Sequence, residues 1–306
     1  MLRNLNLQAT DDSEGIRLDA YILSQCPTST RAFVRDALAR GDITVDGRPA
    51  LKGIKVHSGA NVEIKELLEE IDNRINPNPL VVLDTVYEDE NFLAVNKESG
   101  ISVHPLSPRE NNTLLNGIVA KYPQIADVGE PPLAAGAVHR IDAGTSGLVI
   151  IAKDNETFNA MRAAFAERKV TKKYLALVEG NVIHSGKISC ELVHDPTVTY
   201  CHMIDKLQVK RKSDLAKLRP MYAQTAYKPI KKFKSTTLLE VTILTGVTHQ
   251  IRAQLSMTGH PIVGDTLYGA KKSKEGTFRL HSLSAEFIHP ITGTPIILKS
   301  PLPNWA

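Results

Sequence analysis

One acidic side chain in this sequence stands where chemistry could use it. Asp142 follows His139 and Arg140 and precedes the small-residue turn Ala143-Gly144-Thr145-Ser146-Gly147, after which Leu148-Val149-Ile150-Ile151 is an apolar, mostly β-branched run. Gly, Thr and Ser punctuate, and β-branched residues favour strands, so Asp142 belongs to a loop at the mouth of a strand. A carboxylate presented in that way is able to act as a nucleophile or as a base. An Asp at the same place often serves only its own turn, by accepting backbone amides. The residue types alone leave both readings open. They offer no Gly-rich phosphate loop and no cluster of metal-ligand residues, so neither a nucleotide cofactor nor a metal is expected.

The rest of the chain must position that loop. At 306 residues it is long enough for about two domains of ~150 residues each, and a 42% hydrophobic content is ordinary for a folded soluble protein. The net charge of +4 suits a polyanionic partner only where positive charge is concentrated. Such a concentration occurs at Lys206, Lys210, Arg211, Lys212, Lys217, Arg219, Lys228, Lys231, Lys232 and Lys234. Cys26, Cys190 and Cys201 are odd in number and widely spaced, which argues against a disulfide framework or a thiolate zinc site and for a reducing cytoplasm. No apolar run approaches the ~18 residues of a membrane span, so no membrane partner is expected.

Apolar spacing and turn residues divide the chain. Residues 1–15 are polar and acidic and are expected to be a flexible tail. Within 16–65, Leu18, Tyr21 and Ile22 predict one short helix; Phe33, Val34, Ala37 and Leu38 predict a second, capped by Ser29 or Thr30 and stopped at Gly41. Ile43-Thr44-Val45 with Asp46-Gly47 predicts a hairpin, and 54–56 with 61–64 further strands. Residues 66–79, acidic and then Asn-Pro-Asn-Pro, predict a linker. From residue 80 onward, 81–86 and 92–96 predict paired strands, Asp154 caps a helix carrying Phe158, Met161 and Phe165, a strand follows through 174–178, and 238–245 leads to a helix capped by Thr248.

The string H-R-I-D-A-G-T-S-G-L at 139–148 resembles the H-R-L-D-x-x-T-S-G-L signature of the RluA-type pseudouridine synthases, in which the Asp is catalytic. The resemblance extends over nearly the whole chain. The loop 97–105 is similar to the family's first motif, with Glu98 where Pro is usual. Lys172 and Tyr174 match its K-x-Y motif, and 244–252 resembles T-G-R-T-H-Q-I-R, whose last Arg partners the catalytic Asp. Residues 16–65, with Arg17-Leu18-Asp19, Ser29-Thr30-Arg31 and the run from Gly41 to Arg48, resemble the S4 RNA-binding domain, whose second helix faces RNA.

The resemblance implies an α+β fold: a mixed, largely antiparallel sheet with flanking helices over 80–306, plus a small α/β S4-like N-terminal domain. It implies an isomerase that converts selected uridines of structured RNA, ribosomal before transfer, to pseudouridine in the cytoplasm, as a monomer and without a cofactor. Asp142, Tyr174 and Arg252 would be catalytic. His139, Arg140, Thr145, Lys172, His249 and Gln250 would bind substrate, with Arg140 filling the place of the flipped base, and Arg31 and Arg35 would contact RNA. The chain departs from the family pattern at Val247, at Ala143-Gly144 and at Gln254, departures that bear on substrate choice. Two rival readings are a non-catalytic RNA-binding or ribosome-assembly factor on the same fold and a glycosidase, which needs a second carboxylate beside Asp142.

Overall fold

The computed structural model describes residues 1–130, 132–194, 201–203, 220–273 and 275–306, at 194 and 201–203 the backbone alone. Most of the basic cluster at 206–219 therefore lies outside the described residues; Lys228, Lys231 and Lys232 lie on a strand near the sheet's end. The chain divides into two compact units, Met1–Arg74 and Ile75–Ala306.

In the first unit a four-stranded antiparallel sheet is built from β1 (Leu2–Gln8), β2 (Ile43–Val45), β3 (Arg48–Pro49) and β4 (Asn61–Leu67), in the order β1-β4-β2-β3. Helices α1 (Leu18–Gln25) and α2 (Arg31–Arg40) complete it. The Thr30 side chain accepts the Phe33 amide at 3.3 Å and Gly41 closes α2 in the left-handed conformation, as the cap residues dictate. Asp46 and Gly47 both have positive φ, the geometry of a tight hairpin turn. Residues 1–15 are not a tail. Leu2, Leu5 and Leu7 of β1 pack on the core that contains Leu18, Ile22, Val34 and Ile64. The pattern was hidden because Asn4 takes φ 51° and breaks the alternation of leucines. Residues 54–56 form only an isolated bridge, Arg17 to Lys55. Of the expected linker, Leu67 and Leu68 belong to this core, whereas Ile75 packs in the second unit, where Asn116 Nδ2 donates to the Asn76 carbonyl at 2.7 Å.

The second unit is a mixed, largely antiparallel sheet of β5 (Thr85–Glu88), β6 (Phe92–Lys97), β7 (Ser146–Ala152), β8 (Thr171–Glu179), β9 (Gly186–His194), β10 (Cys201–Met203), β11 (Met221–Lys232), β12 (Thr236–Ile243), β13 (Leu280–Ile288) and β14 (Pro295–Lys299). Strand order is β10-β9-β11-β12-β8-β13-β7-β6-β5, with β14 on β13. The expected strand at 81–86 begins only at Thr85, with the Asn96 N–H donated to the Asp84 carbonyl at 2.8 Å just before it.

Period-two alternation explains how helices cover both faces of the β6-β7 half. Phe92, Ala94, Leu148 and Ile150 face α4 (Asn155–Ala166) through Phe158 and Met161. Leu93, Val95, Val149 and Ile151 face α3 (Leu114–Lys121) through Leu114, Leu115 and Ile118. Tyr174 and Ala176 of β8 and Val241 of β12 pack on α5 (Gln250–Met257) through Ile251 and Leu255. The two halves of the sheet meet at the only parallel pairing described, β13 with β7, where His281 lies against Ser146 and Ser282 against Gly147. Gly147 has φ +103°, and a Cβ there would sit 2.2 Å from the Ser282 carbonyl oxygen. The seam requires glycine.

Candidate active site

The loop bearing Asp142 enters β7 at this seam. Its backbone turns on a Thr145 N–H donated to the Asp142 carbonyl at 3.0 Å. Lys97, buried at the end of β6, clips the turn from behind: Nζ donates to the carbonyls of Glu98 (2.7 Å), Ile101 (2.8 Å) and Ala143 (3.1 Å). Ser99 Oγ donates to the Gly144 carbonyl at 2.7 Å. Burial pulls the Lys97 pKa down to about 7 while the Asp142 carboxylate works the other way. Three carbonyl acceptors match the three N–H bonds of the charged amine.

Arg252, in the first turn of α5, sends Nη1 to Asp142 Oδ2 at 3.0 Å. The remaining edge of its guanidinium is held elsewhere. Nε and Nη2 donate to Asp265 Oδ2 and Oδ1 at 2.7 and 2.9 Å, a bidentate pair, and the Phe278 ring lies 4.3 Å from the guanidinium carbon. Burial opposes the charge on Arg252, but Asp265 and then Asp142 outweigh it and hold its pKa above the ordinary value. Asp265 is 1% exposed and absent from the cleft wall; Asp142 keeps 25% of its side chain exposed. The second carboxylate that the sequence did not reveal thus orients an arginine rather than facing the cleft as a glycosidase partner would.

Asp142 opens into a cleft of about 660 Å³. Tyr174 and Lys172 lie two apart on β8 and so point to the same side; both line the cleft, as do His139, Arg140, Thr145, His249 and Gln250. Burial, opposed by a hydrogen bond with Ser282 and reinforced by Asp142, pushes the Tyr174 phenol up to about 12, so it stays neutral. Burial lowers Lys172 to about 8, and its Nζ donates to the Thr245 carbonyl at 3.1 Å.

Several residues expected to meet substrate have their polar atoms engaged within the protein. His139 Nε2 accepts the Ile150 N–H at 3.0 Å and the ring stacks on Phe165; loss of hydration, then Lys172, lowers its pKa to about 3. Gln250 Oε1 accepts from Thr245 Oγ1 (2.8 Å) and the Val247 N–H (3.2 Å), and its Nε2 donates to the Gln224 carbonyl (2.9 Å) and Thr225 Oγ1 (3.0 Å). That amide fastens the 245–247 turn to β11. The expected cap Thr248 does not open α5; His249, at φ 55°, takes that position, with Nδ1 3.0 Å from the Tyr268 hydroxyl and Nε2 3.9 Å from Asp142. Arg140 is exposed at the rim. Gln254 is fully buried, donating to the Ala223 carbonyl at 3.0 Å, so this departure from the family pattern does not reach a substrate in the cleft.

The family model for RNA pseudouridylate synthase matches residues 91–257, more than half of the chain and the whole span from Asp142 to Arg252. The chain belongs to this family. As an RNA pseudouridine synthase it is an isomerase acting on RNA. Among relatives, ribosomal large subunit pseudouridine synthase D of Yersinia pestis is 31% identical over 99% of this chain and 93% of its own. The protein of the same description from Xylella fastidiosa is 31% identical over 96% and 88%. The solved structure of human RNA pseudouridylate synthase domain containing 1 covers 74% of this chain and 86% of its own at 24% identity, with a TM-score of 0.56, a likeness of fold. Two groups that sequence reasoning missed, Asp265 and Phe278, lie beyond the stretch the family model matches. Their local signal was weak, because each meets Arg252 only through the fold.

Arg31 and Arg35 are exposed on α2 of the first unit, one turn apart. Arg40, by contrast, is paired with Asp36 and Asp42. No helix among the described residues is long and apolar enough to cross a membrane.

Proposed function

We propose that this synthase isomerises one or a few uridines of large-subunit ribosomal RNA, with Asp142 acting at the ribose, Arg252 holding it aimed, and Tyr174 forming the wall against which the detached uracil turns. The observation that carries the reading is the single Arg252 N–H on Asp142, set by the bidentate grip of Asp265 at the back of a cleft that also holds a neutral Tyr174. The reaction breaks the bond from C1′ to N1, rotates the base, joins C1′ to C5 and moves the C5 proton off as N1 gains one. Atoms balance within the nucleotide, so no co-reactant is required. A neutral phenol beside the base offers its ring face to the turning uracil, and its oxygen takes the C5 proton only by handing its own proton on, so Tyr174 would act as a relay and leave the step unchanged in protonation.

A uridine inside a helix cannot reach Asp142, so the target is unpaired or flipped, and exposed Arg140 at the rim is suited to occupy the space it leaves. Arg31 and Arg35 would add phosphate contacts from the S4-like unit. The names of the two relatives, both ribosomal large subunit enzymes, favour ribosomal over transfer RNA. The protein would work as a monomer in the cytoplasm. A non-catalytic RNA-binding factor on the same fold would have no use for a carboxylate that is both ion-paired and open to a cleft.

Mapping pseudouridine across total RNA with and without the gene tests the proposal. Loss at specific large-subunit uridines is expected. Loss confined to transfer RNA would overturn the ribosomal assignment, and no loss anywhere would overturn the activity assigned to this site.

A further inference from the structure

The cleft is larger than one pyrimidine ring needs, since a volume of this size holds a drug-sized ligand. Its outer wall carries groups that the chemistry at Asp142 does not use. Tyr222, near the start of β11, leaves 45% of its surface exposed, and neighbouring Met221 is equally open. The Tyr222 ring is not loose: its hydroxyl accepts Gln224 Nε2 at 2.9 Å, and that amide also donates to Ser189 Oγ at 3.2 Å. The Arg168 guanidinium lies over the ring, 5.9 Å from its centroid.

Arg168 reaches that place at a cost in backbone strain. It sits just past α4 at φ +59°, a conformation that side chains other than glycine rarely adopt, with its N–H donated to the Phe165 carbonyl at 3.2 Å. Helix ends of this shape favour glycine, which would leave the rim without its cation. An outlier of this kind, carrying a charged side chain to a cleft mouth, points to use.

We propose that Tyr222 and Arg168 form a stacking subsite for the base of a nucleotide adjacent to the modified uridine. The inference rests on the synthase reading of the cleft. RNA that delivers one flipped base into a cleft must pass its neighbours over the rim, and single-stranded bases are held there by aromatic and guanidinium planes. Such stacking tolerates any base, so the subsite contributes affinity and register rather than sequence choice.

The test uses the full-length protein and the RNA stem-loop excised around a uridine that the wild-type protein converts. Tyr222→Ala is expected to raise KM about ten-fold with kcat at saturation unchanged, while Tyr222→Phe stays near wild type. Arg168→Gly, which relieves the strained φ, is expected to melt no lower than wild type and still raise KM, a combination that a merely structural arginine would not give. Removing the base from one flanking nucleotide should raise KM for wild type and add little for Tyr222→Ala. Unchanged KM in Tyr222→Ala with active wild type overturns the subsite alone, as does full additivity with both flanking abasic RNAs. No conversion by wild type of any ribosomal or transfer RNA uridine overturns the synthase reading and this inference together.

Discussion

Arg252 carries two acidic partners on one guanidinium, and their surroundings assign them different work. Asp265 is sealed and takes two N–H bonds; Asp142 is partly open and takes one. The arginine is therefore a fixed part of the wall rather than a mobile arm, and its orientation does not depend on substrate. His139 lines the cleft with its Nε2 engaged by the protein itself, and its chemistry gives a pH prediction. Its Nε2 accepts a backbone amide only while unprotonated, and its folded pKa of about 3 lies below the ordinary 6.5. Below pH 6.5 the unfolded chain takes up a proton that the folded chain refuses, so stability falls as pH drops from about 6.5 toward about 3. His281, lowered by burial to about 4 between Ser146 and Ser300, adds to the loss over pH 6.5 to about 4. Each histidine contributes a slope approaching ~1.4 kcal/mol per pH unit within its window. Urea unfolding between pH 7.5 and 5 checks this. His139→Gln, whose Oε1 is able to accept the same amide, should lose less stability over that range than wild type; equal losses would remove His139 from the linkage.

At the scale of elements, the seam between β7 and β13 decides where the site forms. The parallel contact there brings the start of β7, the start of β8 and the N-terminus of α5 to one place. Gly147→Ala would force a Cβ onto the Ser282 backbone at a φ that alanine resists. It should destabilise the chain by about 3 kcal/mol or more, read as a drop in urea midpoint, and lower product formation through the displaced Asp142 loop. Unchanged stability would mean that the seam opens freely. The elements that the sequence made legible are those whose signals are local: the Thr30 and Asp154 caps, the Asp46-Gly47 turn, and the alternation along β7. Those it hid depend on distant partners. β1 is held by β4 some 60 residues away and its leucines are interrupted at Asn4. The short helix α3 was not anticipated, although Thr113 and Asn116 cap each other reciprocally at its start. The buried role of Lys97 was not legible, because one of the carbonyls it bonds, that of Ala143, lies 46 residues on. Asp142 was legible as a presented carboxylate with its role left open, whereas Tyr174 and Arg252 were visible only through a family resemblance, since no spacing rule joins positions 142, 174 and 252.

For the whole molecule, the cleft belongs to Ile75–Ala306, and Met1–Arg74 carries the exposed arginines of α2. If Arg31 and Arg35 each neutralise one phosphate, the double variant Arg31→Gln/Arg35→Gln should flatten the slope of log affinity against log salt by about 1.5 to 2, with stability unchanged because both side chains are exposed. An unchanged slope would remove α2 from RNA contact.

Pseudouridine yield at single turnover by Asp142→Asn against wild type on the same RNA tests the role of Asp142 most directly. The amide is nearly isosteric and still serves the turn through its backbone, but it carries no charge for Arg252 to hold or for the ribose to meet. The variant is expected to fold, bind RNA comparably and form product slower by several orders of magnitude. A yield equal to wild type would contradict that role.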